Sequence, residues 1–324
     1  MATNNPLLRV EGLVKKFPVK GGIFLQTKEY VHAVSDVSLD IQSQQTLGLV
    51  GESGSGKSTL GRLVMRLIEP NSGSILFDGK ELTGLNHKEL LETRTKMQMV
   101  FQDPADSLNS RMSVEDIILE PLVINSSLSK GDMQQRLDQL LDLVGLSNKI
   151  KHQYPHEFSG GQRQRIGIAR ALALSPKLII ADEPVSALDV SIQAQILNLM
   201  KDLQDELDLS YLFIAHDIHV IFFISHEIAV MYLGEIVEKA SKEQISSNPR
   251  HPYTQALLSA VPKADPTQKT NFNAILGEIP SPIHLPTGCN FHPRCPMADE
   301  ECKRSAPLFL ERGEGHFVAC HKAK

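Results

Sequence analysis

The segment that most constrains this chain runs from Gly51 to Thr59 and reads Gly-Glu-Ser-Gly-Ser-Gly-Lys-Ser-Thr. It follows Thr46–Val50, a short apolar run typical of a buried strand, and the residues after it favour a helix. Glycines allow the backbone to curl so that successive N–H groups and a helix N-terminus point at one anion. The segment therefore predicts a strand–loop–helix unit that binds phosphate.

The residues of this loop predict that it binds a nucleoside triphosphate together with a metal ion. Lys57 is expected to reach the β- and γ-phosphates, and Ser58 is expected to bind Mg²⁺. The four fixed positions of the motif would arise by accident in roughly one chain of this length in a hundred. All nine residues are predicted nucleotide contacts: Gly51, Glu52, Ser53, Gly54, Ser55, Gly56, Lys57, Ser58 and Thr59.

A second apolar run, Leu178–Ala181, leads into Asp182, Glu183 and Pro184. The run predicts a buried strand whose end would place Asp182 beside Mg²⁺ and Glu183 beside the terminal phosphate. A carboxylate at that place can orient or deprotonate the attacking water, which is the role that phosphoryl transfer asks of the protein. An isolated Asp-Glu pair is usually a strand end that meets solvent, but the phosphate loop favours the functional interpretation.

The segment Phe158-Ser-Gly-Gly-Gln162 opens a predicted helix, Gln162–Leu174. A Ser-Gly-Gly turn at a helix N-terminus presents N–H donors and so predicts a second anion site. The alternative is an ordinary glycine-rich helix start. The pentapeptide resembles the signature of the ATP-binding cassette (ABC) ATPases. The resemblance implies that Ser159, Gly160, Gly161 and Gln162 cap the ATP held by the phosphate loop of an opposite chain.

The other motifs of that family follow in order along the chain. They are Gln102 after a predicted strand Met97–Phe101, Asp189 in the D-loop Ser186–Asp189, and a switch histidine, His216, after Tyr211–Ala215. The resemblance implies that Gln102 contacts Mg²⁺ and that Glu183, His216 and Gln102 take part in hydrolysis. For stacking on adenine it points to Phe17, with Tyr30, which follows an insertion at Pro18–Glu29, as the alternative.

Short β-branched runs alternate with helical stretches from about residue 8 to residue 240, and this alternation predicts an α/β fold with a largely parallel sheet. Hydrophobic residues make up 41% of the 324 residues, which is enough for a large core. Strands are predicted at Leu47–Val50, Lys96–Phe101, Leu178–Asp182 and Leu212–Ala215, and helices at Asp132–Val144, Gln162–Leu174 and Gln193–Leu207. The resemblance implies an ABC ATPase domain over residues 1–245 with a helical signature subdomain at about 103–175.

Residues 246–324 are expected to form a small, loop-rich C-terminal extension. Ten of the chain's 18 prolines lie at 249–324, and proline disfavours both helices and central strands. The segments Asn248–Leu258 and Gly277–Pro282, together with Phe17–Gly22 and Ala33–Val37, resemble the ATP-binding subunits of bacterial dipeptide and oligopeptide importers, most closely the ATPase of the dipeptide permease.

That closer resemblance implies a function and a set of partners. The chain would hydrolyse ATP, with Mg²⁺, to power uptake of dipeptides or oligopeptides. It would lie on the cytoplasmic face of the bacterial inner membrane as a peripheral subunit. Its partners would be two permease subunits, a second ATPase that is usually a paralogue, and indirectly an extracytoplasmic peptide-binding protein.

Charge and composition bear on the main alternative, a cassette ATPase that acts on nucleic acid or ribosomes. The 33 basic and 38 acidic residues leave a net charge of −5, which offers no basic field for nucleic acid. No apolar run approaches the ~20 residues of a spanning helix, and the first residues lack the pattern of an export signal. The expected partners therefore exclude nucleic acid.

All four cysteines, Cys289, Cys295, Cys302 and Cys320, lie in the extension, with gaps of five, six and seventeen residues. Four thiolates fit one tetrahedral or cubane metal site, and a tail without a large core needs such a tether. Structural zinc sites more often show two close Cys pairs. The resemblance implies a [4Fe–4S] cluster; zinc, free thiols or an oxidised pair are the alternatives, and His292, His316 and His321 lie near enough in sequence to join a mixed set.

Overall fold

The computed structural model describes residues 5–21, 26–103, 107–259 and 277–323. The chain divides into two compact units. The phosphate-loop unit comprises Met1–Asp40, Leu47–Thr83 and Ala215–Lys324, and the helical unit comprises Ile41–Thr46 and Gly84–Ile214. The residues beyond 245 therefore belong to the same unit as the phosphate loop.

The phosphate-loop unit contains an antiparallel sheet in the order β2-β1-β4-β5. Its strands are β1 (Leu8–Gly21), β2 (Gln26–Ile41), β4 (Ser72–Phe77) and β5 (Lys80–Glu81). Strand β1 pairs with β4 so that Leu8 lies opposite Phe77, and both side chains are fully buried. From Ser74 to Phe77, half-buried and buried residues alternate along β4, as in a sheet with one face toward the core.

A second set of strands in this unit has the order β11-β12-β10-β9-β3. The strands are β3 (Thr46–Val50), β9 (Glu227–Tyr232), β10 (Glu235–Ser241), β11 (Leu310–Glu311) and β12 (Phe317–Val318). Strand β3 runs parallel to β9, whereas β10 is antiparallel to both β9 and β12. Strands β11 and β12 come from the C-terminal extension, which thus adds to the sheet that carries the phosphate loop.

The helices of the phosphate-loop unit are short. They are α1 (Lys57–Val64), α7 (Ile218–Ile224), α8 (Lys242–Ser247), α9 (Pro252–Ser259) and α10 (Glu300–Arg304), with a 3₁₀ turn at His292–Arg294. Helix α1 begins directly after the phosphate loop and buries Leu60, Leu63 and Val64.

The helical unit holds three parallel strands in the order β8-β7-β6. They are β6 (Met97–Val100), β7 (Leu178–Asp182) and β8 (Ser210–Ala215). Every residue of β7 and β8 is buried, as is usual when helices cover both faces of a parallel sheet. The unit's helices are α2 (His87–Arg94), α3 (Val114–Asn125), α4 (Lys130–Leu143), α5 (Gly160–Leu172) and α6 (Val190–Leu207).

The predicted strands are present, whereas three predicted helices begin two or three residues earlier than expected. Each begins after a side chain that accepts a hydrogen bond from a backbone N–H of the first turn: Ser129 for α4, Ser159 for α5 and Asp189 for α6. Such caps satisfy N–H groups that have no partner within the helix, so the cap sets the start of the helix rather than the first apolar residue. Across the described ranges, no helix combines the length and the apolar character needed to cross a bilayer.

Candidate functional site

The phosphate loop lies between β3 and α1, as the sequence predicts. The Lys57 ammonium is buried and donates to the carbonyl oxygens of Gly51 (2.7 Å) and Glu52 (2.9 Å) and to the Ser55 hydroxyl (3.3 Å). Ser53 and Gly54 are exposed at the crest of the loop, and Ser58 and Thr59 are half-buried in the first turn of α1. The loop is therefore curled around its own lysine, as a phosphate cradle requires.

Gly56 occupies the N-cap position of α1 with φ 103°. A side chain there would be strained by this left-handed backbone, and its Cβ would clash with the carbonyl oxygen of Ala33. The neighbouring Ser55 carbonyl accepts a hydrogen bond from the Gly234 N–H at 2.9 Å. The Gly234 N–H of the β9–β10 turn thus holds the Ser55 carbonyl, and the Ala33 carbonyl of β2 leaves no room for a side chain at Gly56.

The outer side of the loop is held by the C-terminal extension. Arg294 donates from Nη1 to Oε2 of Glu52 (2.7 Å) and from Nη2 to Oε1 of Glu52 (3.0 Å). The Tyr253 hydroxyl accepts a hydrogen bond from the Glu52 N–H at 2.9 Å. The ion pair with Glu52 raises the pKa of Arg294 above its ordinary value, so the guanidinium stays charged. The motifs gave no indication of either contact, because the partners lie 242 and 201 residues apart along the chain.

In the helical unit, Asp182 is the last residue of β7 and is only 3% exposed. Glu183 follows it with φ 47°, a left-handed conformation that is uncommon for a residue with a side chain. Its N–H donates to the Ile214 carbonyl at 2.9 Å, and its carboxylate accepts from the Gln102 amide at 3.1 Å. Gln102 and Glu183, predicted from two separate motifs, are therefore brought into direct contact.

The signature segment forms a complete helix cap. The Ser159 hydroxyl accepts from the Gln162 N–H (3.3 Å), and the Gln162 side chain accepts from the Ser159 N–H (3.1 Å). Gly161 is buried, and a Cβ there would lie 2.5 Å from Cγ2 of Ile192 in α6. Ser159 and Gln162 are exposed and Gly160 is half-buried. The helix N-terminus is thus presented outward while its second glycine packs against the helix that follows the D-loop.

Asp189 of the D-loop is exposed and caps α6. Hydrogen bonds from the Ser191 hydroxyl and the Ile192 N–H hold the pKa of Asp189 below its ordinary value. The carboxylate is therefore ionised at neutral pH, and its position is set by the helix that it caps.

His216 and the two candidate adenine-stacking residues lie in the phosphate-loop unit. His216 is exposed directly after β8. Phe17 is half-buried on β1, with the Lys15 ammonium 5.1 Å from its ring centroid, and Tyr30 is 49% exposed on the neighbouring strand β2. Both aromatic rings therefore lie on one sheet, and the choice between them as the adenine platform stays a prediction.

The four cysteines are all reduced; Cys302 and Cys320 are buried, and Cys289 and Cys295 are half-buried. The Cys289 N–H donates to the Cys302 carbonyl at 2.8 Å. Burial, with smaller contributions from the other three thiols, raises the pKa of Cys289 to about 11. Within the described ranges, no group of three or more His, Cys, Asp or Glu side chains is placed to hold a metal ion. Among the described residues, the thiols therefore do not form a preformed iron–sulfur or zinc centre.

Two family models match the chain. The model "ABC transporter" covers residues 34–186, and the model "Oligopeptide/dipeptide transporter, C-terminal region" covers residues 237–302. The first spans the phosphate loop, the signature and β7. The second spans α9 with Tyr253, the 3₁₀ turn with Arg294, and three of the four cysteines.

Curated relatives match over almost the full chain. The "Probable peptide ABC transporter ATP-binding protein y4tS" of Sinorhizobium fredii is 50% identical over 98% of this chain and 90% of its own length. The "Oligopeptide transport ATP-binding protein AppF" of Bacillus subtilis is 49% identical over 99% of this chain and 98% of its own length. The "Dipeptide transport ATP-binding protein DppF" of Haemophilus influenzae is 48% identical over 98% of this chain and 97% of its own length.

Solved structures agree on the fold. The ATP-binding cassette MJ0796, in a dimeric post-hydrolysis state bound to ADP and Pi, matches with TM-score 0.64 and 29% identity over 72% of this chain and 98% of that chain. The cbiO1 protein of Clostridium perfringens matches with TM-score 0.65 and 28% identity over 75% of this chain and 92% of that chain. The prediction of an α/β ABC ATPase cassette with a loop-rich, cysteine-containing extension is confirmed. The chain belongs to the ATP-binding proteins of ABC transporters, in the group that carries the C-terminal region of oligopeptide/dipeptide transporters.

Proposed function

We propose that this chain is the ATPase subunit that powers the uptake of dipeptides or oligopeptides through partner permease subunits. The observation that carries this proposal is the union, in one compact unit, of the phosphate loop and the C-terminal region typical of peptide transporters. Relatives named for peptide, oligopeptide and dipeptide transport support the substrate class. The γ-phosphoryl group is transferred to water. The free energy of this hydrolysis drives a conformational change in the permeases.

The residue roles follow from the chemistry of phosphoryl transfer. Lys57 and the N–H groups of Gly51–Thr59 bind the β- and γ-phosphates. The oxygen donors of Ser58, Asp182 and Gln102 suit Mg²⁺, which would neutralise charge on the phosphates when bound. Glu183 orients or deprotonates the attacking water, and the hydrogen bond from Gln102 fixes the direction of its carboxylate. His216 is the switch histidine, and Phe17 or Tyr30 stacks on adenine.

The second half of each nucleotide site comes from another ATPase chain. The outward-facing N-terminus of α5, with Ser159, Gly160, Gly161 and Gln162, supports this role because its N–H groups form an anion site remote in sequence from the phosphate loop. Asp189 of the D-loop belongs to the same interface. We take the second ATPase to be a paralogue, so that the pair is a heterodimer on the cytoplasmic face of the inner membrane. Two permeases and an extracytoplasmic peptide-binding protein complete the assembly.

Reconstitution tests this proposal. The chain is co-expressed with its permeases and second ATPase, and the complex is reconstituted in liposomes with ATP and Mg²⁺ inside and the peptide-binding protein outside. Dipeptide or oligopeptide outside the liposomes should stimulate ATP hydrolysis several-fold and should accumulate inside. Co-sedimentation of the chain with nucleic acid or ribosomes, without association with permeases, would support the alternative function and contradict this one.

We propose the [4Fe–4S] cluster from the family resemblance, with a zinc ion as the alternative that four cysteine ligands allow. They are supported by the proximity of Cys289 to the other three thiols, which contribute to raising its pKa. They are opposed by the arrangement described above, in which no three of these groups are placed for a metal. Anaerobically purified protein should be brown and contain iron and acid-labile sulfide if the first holds. Stoichiometric zinc in a colourless protein identifies the second, and the absence of both metals excludes each.

A further inference from the structure

The C-terminal extension contacts Glu52 of the phosphate loop through two independent groups. Arg294 comes from the 3₁₀ turn His292–Arg294, and Tyr253 comes from α9. One binds the side chain of Glu52 and the other binds its backbone N–H. Neither group is part of the phosphate cradle, so both act on the loop from outside.

The contact with Arg294 offsets the negative charge of Glu52 in a loop that binds phosphate. Glu52 is the only acidic residue among the nine residues from Gly51 to Thr59, and a carboxylate beside a triphosphate repels it. The bidentate guanidinium at 2.7 and 3.0 Å neutralises that carboxylate and fixes its direction. The Arg294 side chain is 5% exposed and that of Glu52 is 25% exposed, so solvent screens the pair only in part.

The contact with Tyr253 fixes the backbone. Tyr253 is fully buried, and its ring packs against Tyr232 (centroids 4.8 Å apart) and Phe291 (5.4 Å). Burial raises the pKa of Tyr253 above its ordinary value, so the side chain is a neutral phenol, and its oxygen accepts from the Glu52 N–H. Arg294 lies over the Tyr232 ring, with its guanidinium carbon 5.8 Å from the centroid. The two anchors therefore rest on one aromatic cluster, formed by Tyr232, Tyr253 and Phe291.

We propose that Arg294 and Tyr253 are positioning residues for the nucleotide site: they hold Glu52, and with it the phosphate loop, in the shape that binds the β- and γ-phosphates. A loop that is already ordered loses less conformational entropy when the ligand binds. The C-terminal extension thus sets the ATP affinity of the cassette to which it is attached. This inference rests on the proposed ATPase function and extends it to residues outside the family's nucleotide motifs.

The test measures the dissociation constant for ATP with the full-length chain and with variants of each anchor. Arg294→Met removes the charge and keeps an unbranched side chain, and Arg294→Lys keeps the charge but loses the two-pronged contact. We expect ATP binding to weaken by about 10-fold or more in Arg294→Met and by less in Arg294→Lys, because a hydrogen bond to a charged group contributes more than a neutral one. Tyr253→Phe should weaken binding by about 3-fold or more.

A matched control separates this role from a general effect on folding. Tyr211 is also buried, at 1% exposure, and its hydroxyl donates to the Met200 carbonyl at 3.1 Å in the helical unit. Tyr211→Phe thus removes one buried hydroxyl without touching the loop and should leave ATP affinity unchanged. Hydrogen exchange at the amides of 52–56 should accelerate in Tyr253→Phe and Arg294→Met, and should stay as in wild type in Tyr211→Phe.

The outcomes distinguish the two proposals. If the wild-type chain does not bind ATP, the ATPase assignment fails and the inference fails with it. If the wild-type chain binds ATP and all Arg294 and Tyr253 variants bind it equally well, only the inference is wrong. If Arg294→Met does not fold, the comparison of Tyr253→Phe with Tyr211→Phe decides: equal ATP affinity overturns the inference, and selective weakening supports it.

Discussion

Glu183 combines a strained backbone with a side chain that a hydrogen bond from Gln102 holds in place. Its φ of 47° costs on the order of 1–3 kcal/mol for a residue with a Cβ, and such strain is typical of functional positions. The strain persists because the Glu183 N–H donates to Ile214 and the Ser186 hydroxyl donates to the Glu183 carbonyl at 3.0 Å. The carboxylate thereby meets the Gln102 amide rather than continuing the direction of β7. This geometry suits a group that must orient one water molecule.

Replacing Glu183 with Gln should stop turnover without preventing ATP binding. The amide keeps the size of the side chain but cannot accept a proton, while Asp182 and Lys57 stay in place. We expect the rate of phosphate release to fall by about 100-fold or more, with the dissociation constant for ATP within a factor of a few of wild type. Lys57→Ala is the complementary variant and should lose ATP binding itself. Wild-type turnover by Glu183→Gln would show that another group activates the water.

His251 gives the extension a pH-dependent stability. It is buried, its Nδ1 accepts from the Tyr253 N–H at 3.0 Å, and burial lowers its pKa to about 3. The unfolded chain takes up a proton at this residue below pH 6.5, whereas the folded chain does not, so the free energy of unfolding falls as the pH falls. Between pH 7 and pH 5 the loss from this one group should be about 2 kcal/mol.

The variant His251→Asn isolates this effect, because the Asn side chain can still accept from the Tyr253 N–H but does not titrate. Urea unfolding at pH 7 and pH 5 should show a smaller loss of stability in the variant than in wild type. Equal losses would mean that His251 is protonated in the folded chain.

The elements that present the anion sites are set by caps and by close helix packing. Helix α5 begins at its reciprocal Ser159–Gln162 cap, and its second residue, Gly161, is pressed against Ile192 of α6. The signature and the D-loop therefore form one rigid corner of the helical unit. Movement of α6 would be transmitted directly to the signature.

Adjacent glycines of this corner should respond differently to alanine. At Gly161 the new Cβ would lie 2.5 Å from Cγ2 of Ile192, an atom attached to a branched Cβ that cannot move away without a shift of α6. We expect Gly161→Ala to lower the free energy of unfolding by about 1–3 kcal/mol.

At Gly160 the nearest atom to a new Cβ is Cδ2 of Leu188, which would lie 3.1 Å away at the end of a flexible side chain. Gly160→Ala should be neutral or stabilise the helix by up to about 1 kcal/mol; the midpoints of urea unfolding compare the two, and the reverse order would exclude this packing.

The whole molecule carries a phosphate loop in one compact unit and the exposed signature in the other. Under the proposed function each ATP needs the signature of an opposite chain, so hydrolysis requires association. A related cassette is described as dimeric, in a state bound to ADP and Pi. The closed dimer is then the state that ATP stabilises by differential affinity.

Specific ATPase activity should therefore rise with the concentration of the isolated chain, or on addition of its cognate ATPase and permeases. In a mixed dimer, Ser159→Arg should inactivate the site whose phosphate loop belongs to the partner and spare the site on its own chain. Activity per mole that is high and independent of dilution would contradict a shared site.

The sequence by itself determined the local chemistry of this protein. The phosphate loop, the acidic end of β7, the Ser-Gly-Gly cap and the strands around them are each encoded within a few consecutive residues, where backbone conformation and hydrogen bonding are decided by near neighbours. For the same reason, the first residues of α4, α5 and α6 follow from their capping residues, Ser129, Ser159 and Asp189, which are visible in the sequence. The predicted site residues lie in such local motifs, and a hydrogen bond joins Gln102 to Glu183.

Only the tertiary structure decided which residues of the C-terminal extension hold the phosphate loop and how its four cysteines are placed. Arg294 and Tyr253 lie in a proline-rich region whose pattern has no period, and they reach Glu52 across more than 200 residues. The same holds for the fully buried Glu238, which accepts from His316 at 2.7 Å across 78 residues. Such contacts depend on where folding brings distant segments together, and no short-range propensity records that. Four cysteines in one tail predicted a metal centre; in the described part of the chain they are free thiols, no three of which are placed to hold a metal ion, and the metal stays a proposal.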